Sequence, residues 1–202
     1  MGKTIKLLED WPIGEFVAGI DEVGRGCGAG PVVAAAVILP RGFTSPLIRD
    51  SKKLSEKQRN EAYKIILDNA ISYSVNAGSP SSINQHGIDK ATFMVMHKCL
   101  SELKPSAEHI IVDGTQWESY NTPYDVVTCI PKGDDRYTCI AAASIIAKVR
   151  RDEYMTKLHE LHPEYGWDTN KGYLTEQHIK GLKANNATKY HRLMFIKNFI
   201  NK

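Results

Sequence analysis

The chain has 202 residues, 42% of them hydrophobic and 24% charged, with a formal net charge of +3. These proportions fit a soluble globular chain long enough to bury a sizeable core, and exclude a fibre or a disordered tract. The longest uninterrupted apolar run, Val32 to Leu39, has eight residues between two prolines, too few to cross a bilayer; the opening MGKTIKLLEDWP carries acids and lacks the apolar centre of a signal peptide.

Phe16 to Ile20 reads as a strand that ends where two acids, Asp21 and Glu22, begin. Val32 to Leu39 reads as the next strand, and the glycine-rich dozen residues between them suit a hairpin. LSEKQRNEAYKIILDNA predicts a helix with Ser55 as its N-cap. ISYSVNAG alternates as a strand does. SPSSINQHG predicts a short helix with proline in its first turn and a glycine stop. IDKATFMVMHKCLSEL is an amphipathic helix ending before Pro105. EHIIVDG and DVVTCI contain continuous apolar runs, as expected of strands covered on both faces. Tyr137 to about Leu161 reads as one long helix stopped by Pro163. LTEQHIKGLKANN predicts another helix, with Thr175 near its start, and RLMFIKNFI a short amphipathic tail. Early strands lie close enough to pair antiparallel, and later ones alternate with helices. The expected fold is therefore α/β, a mixed sheet flanked by helices.

Four acids fall at or just past the ends of apolar strands or before the long helix: Asp21, Glu22, Asp113 and Asp134. Successive side chains of a regular strand face opposite ways. Asp21 and Glu22 would share one site only if the strand stops there, giving one acid from the strand and one from the Gly24-Arg25-Gly26 turn side. Taken singly, each acid reads as a cap or a surface group. Taken together, converging carboxylates would repel one another unless hard divalent cations lay between them, and oxygen-only ligands select Mg²⁺ or Mn²⁺ over zinc. The four cysteines, Cys27, Cys99, Cys129 and Cys139, have no CxxC spacing and read as packing residues of a reduced, cytoplasmic protein. Residues 132–202 carry 13 Lys and Arg against 8 Asp and Glu, whereas residues 1–131 carry 13 against 15. The C-terminal third thus reads as the seat of an anionic partner, or simply as a solvated set of lysine-rich helices.

The segments GIDEVGRGCGAGPVVAAAVIL, DSKKLSEKQR, IIVDG, KGDDRYTCIAAASIIAKVRRDEYM and NKGYLTEQHIKGL…HR, in this order between about residues 16 and 195, resemble bacterial ribonuclease HII. The resemblance implies an RNase H-like five-stranded sheet in the order 3-2-1-4-5 with a helical C-terminal segment from about residue 165. The short stretch before the first motif leaves no room for the extra N-terminal domain of the related ribonuclease HIII, so residues 1–202 are expected to form one domain. The resemblance implies endonucleolytic cleavage of RNA in RNA–DNA hybrids, and nicking 5′ of ribonucleotides embedded in duplex DNA. It assigns Asp21, Glu22, Asp113 and Asp134 to two Mg²⁺ or Mn²⁺ ions, with 3′-hydroxyl and 5′-phosphate products. Alignment on KGD favours Asp134 over Asp135, which then reads as a helix-start acid.

By the same resemblance, Gly24, Arg25 and Gly26 would sense the 2′-hydroxyl that separates RNA from DNA. Read alone, the glycines only make a hairpin. Tyr173 matches the family tyrosine that packs on the sugar beside the ribonucleotide; read alone, it is a core or hinge residue. Ser144, Lys148 and Arg151 share one stripe of the long helix. Ser144 and Lys148, with Lys52 and Lys53, read as phosphate contacts that position a duplex without reading its sequence. Arg151 reads instead as pairing with its neighbours. His191 and Arg192 could extend the nucleic-acid footprint or pack in the interior, with packing preferred. Nucleic acid is the expected partner, no membrane is, and a monomer is expected. Four acids argue against a non-catalytic relative, and the Gly-Arg-Gly turn with Tyr173 against a nuclease confined to DNA.

Overall fold

The computed structural model describes residues 7–117, 124 and 126–200. Five strands, β1 (Val17–Val23), β2 (Val32–Ile38), β3 (Ser72–Gly78), β4 (His109–Asp113) and β5 (Val127–Ile130), form one sheet in the order β3-β2-β1-β4-β5. β1, β2 and β3 pair antiparallel, and β1, β4 and β5 pair parallel. This is the order that the resemblance implies. The helices among the described residues are α1 (Glu56–Asn69), α2 (Pro80–His86), α3 (Ile88–Ser101), α4 (Thr138–Leu161), α5 (Trp167–Asn170), α6 (Glu176–Asn185) and α7 (Leu193–Ile200). The residue Asp125, placed in the last strand by sequence, lies outside the described residues.

The sheet's two faces follow the alternation of its strands. Val17, Val33, Ala35 and Val37 pack against α1 and α4. Ala18, Ile20, Ala34, Ala36 and Ile38 pack against α2 and α3. β2 is buried along its whole length because it is sandwiched by both layers and paired on both edges. Ser55 caps α1 as expected: its hydroxyl accepts from the Gln58 amide at 3.3 Å, and Gln58 Oε1 accepts from the Ser55 amide at 3.0 Å.

α4 is the fold's central helix. Every residue from Thr138 to Ala147 is buried, so this half is enclosed on all sides rather than amphipathic. It lies tight on β1 because Gly19 has no side chain: a Cβ there would stand 2.2 Å from the Cys139 carbonyl carbon. A third core cluster gathers Ala29, Met155, Leu158, Tyr165, Trp167, Leu182 and Ile196, and joins the C-terminal helices to the end of α4. Sequence periodicity does not announce this cluster, because Tyr165 and Trp167 sit in a short turn and in the four-residue α5.

Two strand ends differ from expectation. The first strand does not end at Ile20. β1 runs on to Val23, with Asp21 paired to Ala35 and Glu22 to Ala34. The two acids are therefore both strand residues, on opposite faces. What ends at Ile20 is the pairing with β4, whose last partner there is Val112. β1 outruns β4, and the acids occupy the overhang. β2 ends at Ile38, one residue before the expected Leu39.

Candidate active site

Asp21, on the α4 side of the β1 overhang, Asp113, at the end of β4, and Asp134, in the 3-10 turn Gly133–Asp135 that leads into α4, converge. Each offers a carboxylate oxygen, and these lie within 4.8 Å of one another. The turn is pinned by the acid beside it: Asp113 Oδ1 accepts from the Gly133 amide at 2.7 Å. A side chain at 133 would strike Ile140 Cδ1 at 2.5 Å, so glycine lets the turn lie against α4. Asp21 Oδ1 accepts from the Glu22 amide at 2.7 Å. Glu22 itself stands outside the three-acid group. It lines, with Arg25, Phe93, Met96 and Asp113, a cleft of about 200 Å³ on the α3 side of the overhang.

Asp21 and Asp134 are each only 5% exposed. Burial first, then Glu22 and Asp113, raise the Asp21 carboxyl well above its ordinary range. Burial, then Asp113 and Asp50, raise Asp134, against the opposing pull of Lys52. Burial and Asp113 raise Glu22, against Arg25. An oxygen-only set in which the buried Asp21 and Asp134 resist ionising is what a hard divalent cation neutralises, and no His or Cys belongs to it. The residues present fit Mg²⁺ or Mn²⁺.

Lys52 brings a positive charge to the rim. Its ammonium lies 3.8 Å from Asp134 Oδ2 while its side chain stays 80% exposed. Asp50 fixes this segment by accepting from the Lys52 amide at 2.9 Å. Lys53 points away and binds Asp135 and Asp50. Ser144 is buried beneath the acids, its hydroxyl 3.0 Å from that of Ser51 and within reach of Asp21. Lys148 pairs with Asp152 at 2.8 Å.

On the other side of the overhang the chain makes the Gly24-Arg25-Gly26 turn. Gly24 has φ of 91°, and a Cβ there would lie 2.2 Å from Arg151 Nε. Arg151 is buried and, among the described residues, pairs with no acid. It donates to the carbonyls of Pro31, Ala29 and Lys171 at 2.9, 3.2 and 2.8 Å. The Arg25 guanidinium bridges Asp89 and lies 3.8 Å from Glu22. Tyr173 is half-exposed, and its ring edge would be 3.9 Å from a Cβ on Gly26. The tyrosine thus lies beside the turn, just past the end of β1 that carries Glu22.

Residues 18–198 match the family model described as Ribonuclease HII. The ribonuclease HII of Bacteroides fragilis is 44% identical over 191 residues, 94% of each chain. That of Christiangramia forsetii is 48% identical over 180 residues, 89% of each chain. The chain belongs to the ribonuclease HII family. Among solved structures, ribonuclease H2 from Pyrococcus horikoshii is similar with a TM-score of 0.79 and 25% identity, over 92% of this chain and 97% of that one. Bst-RNase HIII, solved in complex with Mn²⁺, shares the fold with a TM-score of 0.68 at 20% identity, over 94% of this chain and 71% of its own. Ribonuclease HII is a metal-dependent phosphodiester hydrolase, and membership carries endonuclease action on the RNA of RNA–DNA hybrids.

Measured against the sequence, the ribonuclease HII fold brings Asp21, Asp113 and Asp134 together and puts Glu22 across the strand from them. It leaves Lys52 at the site and commits Lys53 and Lys148 to ion pairs. It buries Ser144, His191 and Arg192. Asp50, Ser51, Asp89 and His178 were missed. Asp50 and Ser51 precede the DSKKL lysines, and Asp89 opens α3, so only the tertiary fold reveals what they touch.

Proposed function

We propose that this ribonuclease HII nicks duplex DNA on the 5′ side of an embedded ribonucleotide, as well as cutting RNA–DNA hybrids, and leaves a 3′-hydroxyl and a 5′-phosphate. The observation that carries the reading is the meeting of three carboxylates within 4.8 Å beside a glycine turn and an exposed tyrosine. Asp21, Glu22, Asp113 and Asp134 would hold two Mg²⁺ or Mn²⁺ ions, which when bound acidify the attacking water and neutralise the leaving oxygen. The Mn²⁺ complex of the related Bst-RNase HIII fold supports that choice of ion.

The chain's own residues supply the rest. The Asp113–Gly133 hydrogen bond holds Asp134 in register with Asp113. Ser144, backed by Ser51, holds Asp21 from below, and would act on the phosphate only through that acid. Lys52 offers an exposed ammonium to the scissile strand. Lys53 and Lys148 reach a phosphate by exchanging their present carboxylate partners. Gly24 turns the chain against Arg151, and Gly26, exposed and without a side chain, leaves the backbone of the turn bare, so a 2′-hydroxyl can approach it closely. Arg25 joins them when it leaves Asp89. Tyr173 packs on the adjacent sugar. The enzyme acts as a monomer in the cytoplasm.

The test is a labelled DNA duplex with one ribonucleotide, incubated with Mg²⁺, with Mn²⁺ and with EDTA. A single nick 5′ of the ribonucleotide, with metal only, is expected. Binding without cutting, or equal cutting of an all-DNA duplex, would overturn the reading.

A further inference from the structure

His191 and Arg192 are adjacent residues just before α7. They are 1% and 0% exposed, so neither reaches a nucleic acid. Their hydrogen bonds run in two directions. Arg192 Nη1 donates to the Arg25 carbonyl and Nε to the Gly30 carbonyl, each at 2.9 Å. No carboxylate pairs with this guanidinium, and its Nη2 is buried without a hydrogen-bond partner among the described residues. Burying a cation in this way is costly, and it secures the backbone of the Gly-Arg-Gly turn.

His191 reaches the other element. Its Nδ1 accepts from the Thr188 amide at 3.0 Å, so its proton sits on Nε2, 3.1 Å from His178 Nε2. His178 Nδ1 lies 2.9 Å from the Tyr173 carbonyl, which can only accept. His178 therefore carries its proton on Nδ1, and its Nε2 accepts from His191 and from the Trp167 indole N–H at 3.2 Å. Burial keeps both imidazoles neutral, His191 down to about 4. The backbone repeats the arrangement. The Arg192 amide donates to the Gly28 carbonyl at 2.8 Å, and the Gly28 amide to the Gly172 carbonyl at 2.9 Å.

We propose that His191 and Arg192 are positioning residues that hold the Gly-Arg-Gly turn and Tyr173 in one frame, so that a ribose and the sugar next to it are met at a fixed spacing. Arg192 acts through the Arg25 carbonyl, and His191 through His178 and the Tyr173 carbonyl. The inference rests on the reading of those two elements as the pair that meets the ribose and the sugar beside it. Misplacement by about 1 Å at such a site costs up to about 100-fold in rate.

Two conservative variants separate positioning from mere folding. His191→Asn keeps an acceptor for the Thr188 amide but loses the donor to His178. His191→Gln keeps a donor at the Nε2 position. On a duplex with one ribonucleotide, His191→Asn is expected to lower kcat/KM about 10-fold, and His191→Gln less than about 3-fold. In a Tyr173→Ala background, His191→Asn should cost less than about 2-fold more, because the ring that it positions is gone while the carbonyl at 173 remains. The same fold-loss in both backgrounds, or losses in both variants that simply follow Tm, would overturn the proposal. Tyr173→Ala without effect would instead overturn the reading of Tyr173 as a sugar contact. For the other arm, Arg192→Lys in an Asp113→Asn background should weaken anisotropy-measured binding of the ribonucleotide duplex and leave the all-DNA duplex unchanged. Equal weakening of both duplexes would overturn the role of Arg192.

Discussion

Replacing Asp21 by Asn should make the metal-free protein more stable while removing its response to metal. The substitution keeps Oδ1, so the acceptor for the Glu22 amide survives. What it removes is one charge from a group whose carboxylate oxygens lie within 4.8 Å of each other. Two unit charges at that distance repel by about 3 kcal/mol at an effective dielectric of about 20. Lys52 and partial protonation reduce this, leaving a gain of about 1–3 kcal/mol, or about 2–12 °C in Tm for a chain of this length. The sign follows from Asp21's raised folded-state pKa. As pH climbs above the unfolded value of 3.8, the folded protein keeps a proton that the unfolded chain gives up. The parent therefore loses stability until Asp21 ionises in the fold as well. The advantage of the variant should be present at pH 7.5 and vanish near pH 4. Thermal unfolding in EDTA, and then in Mg²⁺ or Mn²⁺, checks it. The parent should gain Tm with metal and the variant little. A variant less stable than the parent in EDTA, or one with the parent's full metal-dependent gain, would refute the argument.

Gly19→Ala should destabilise by about 3 kcal/mol or more, seen as a lower denaturation midpoint, because the new Cβ meets α4 backbone at 2.2–2.5 Å and the helix must move. A change within about 0.5 kcal/mol would show that α4 does not rest on β1 as described. Asp113→Asn should abolish cutting and leave duplex binding largely intact in gel-shift assays; turnover near the parent rate would remove Asp113 from the site. That binding should weaken steeply with salt, since lysine–phosphate contacts release counterions. His191, held down to about 4 from 6.5, should withdraw up to about 3 kcal/mol of stability as pH falls from 6.5 to 4, because only the unfolded chain takes up the proton in that window. His191→Asn should flatten that part of the stability profile, and an unchanged slope would count against the burial of His191.

The strands and the helices were legible because their signals are local, whereas the order of the strands came from the family resemblance. Apolar runs, the Ser55 cap and the proline and glycine stops lie within a few residues of what they specify. The acids were legible as types at strand ends. What they do to one another was not, because the 4.8 Å grouping depends on β4 stopping short of β1, and strand offset leaves no mark in either segment alone. The same holds for Ser144, which the helix stripe places beside Lys148. Its burial against Ser51 arises from a loop 93 residues away. Charge counting pointed to the C-terminal third as basic, yet two of its arginines, Arg151 and Arg192, are interior and spend their donors on backbone carbonyls. A sum over sequence weights interior and surface cations alike.

The overhang of β1 also explains how consecutive strand residues on opposite faces both lie near Asp113. Inside a sheet, Asp21 and Glu22 would be separated by the neighbouring strand. Here β4 ends at Asp113, so the strand that would divide them contributes a carboxylate instead. Asp113 interacts with Asp21 and Glu22 alike, and charge coupling links it to both. The edge is kept open by what surrounds it: the Gly133 turn on the α4 side, and the cleft between Phe93, Met96 and Gly114 on the α3 side. A longer β4 would pair with Asp21 and Glu22 and pull its own acid out of reach. The shortness of one strand is thus as much a part of the site as the acids it exposes.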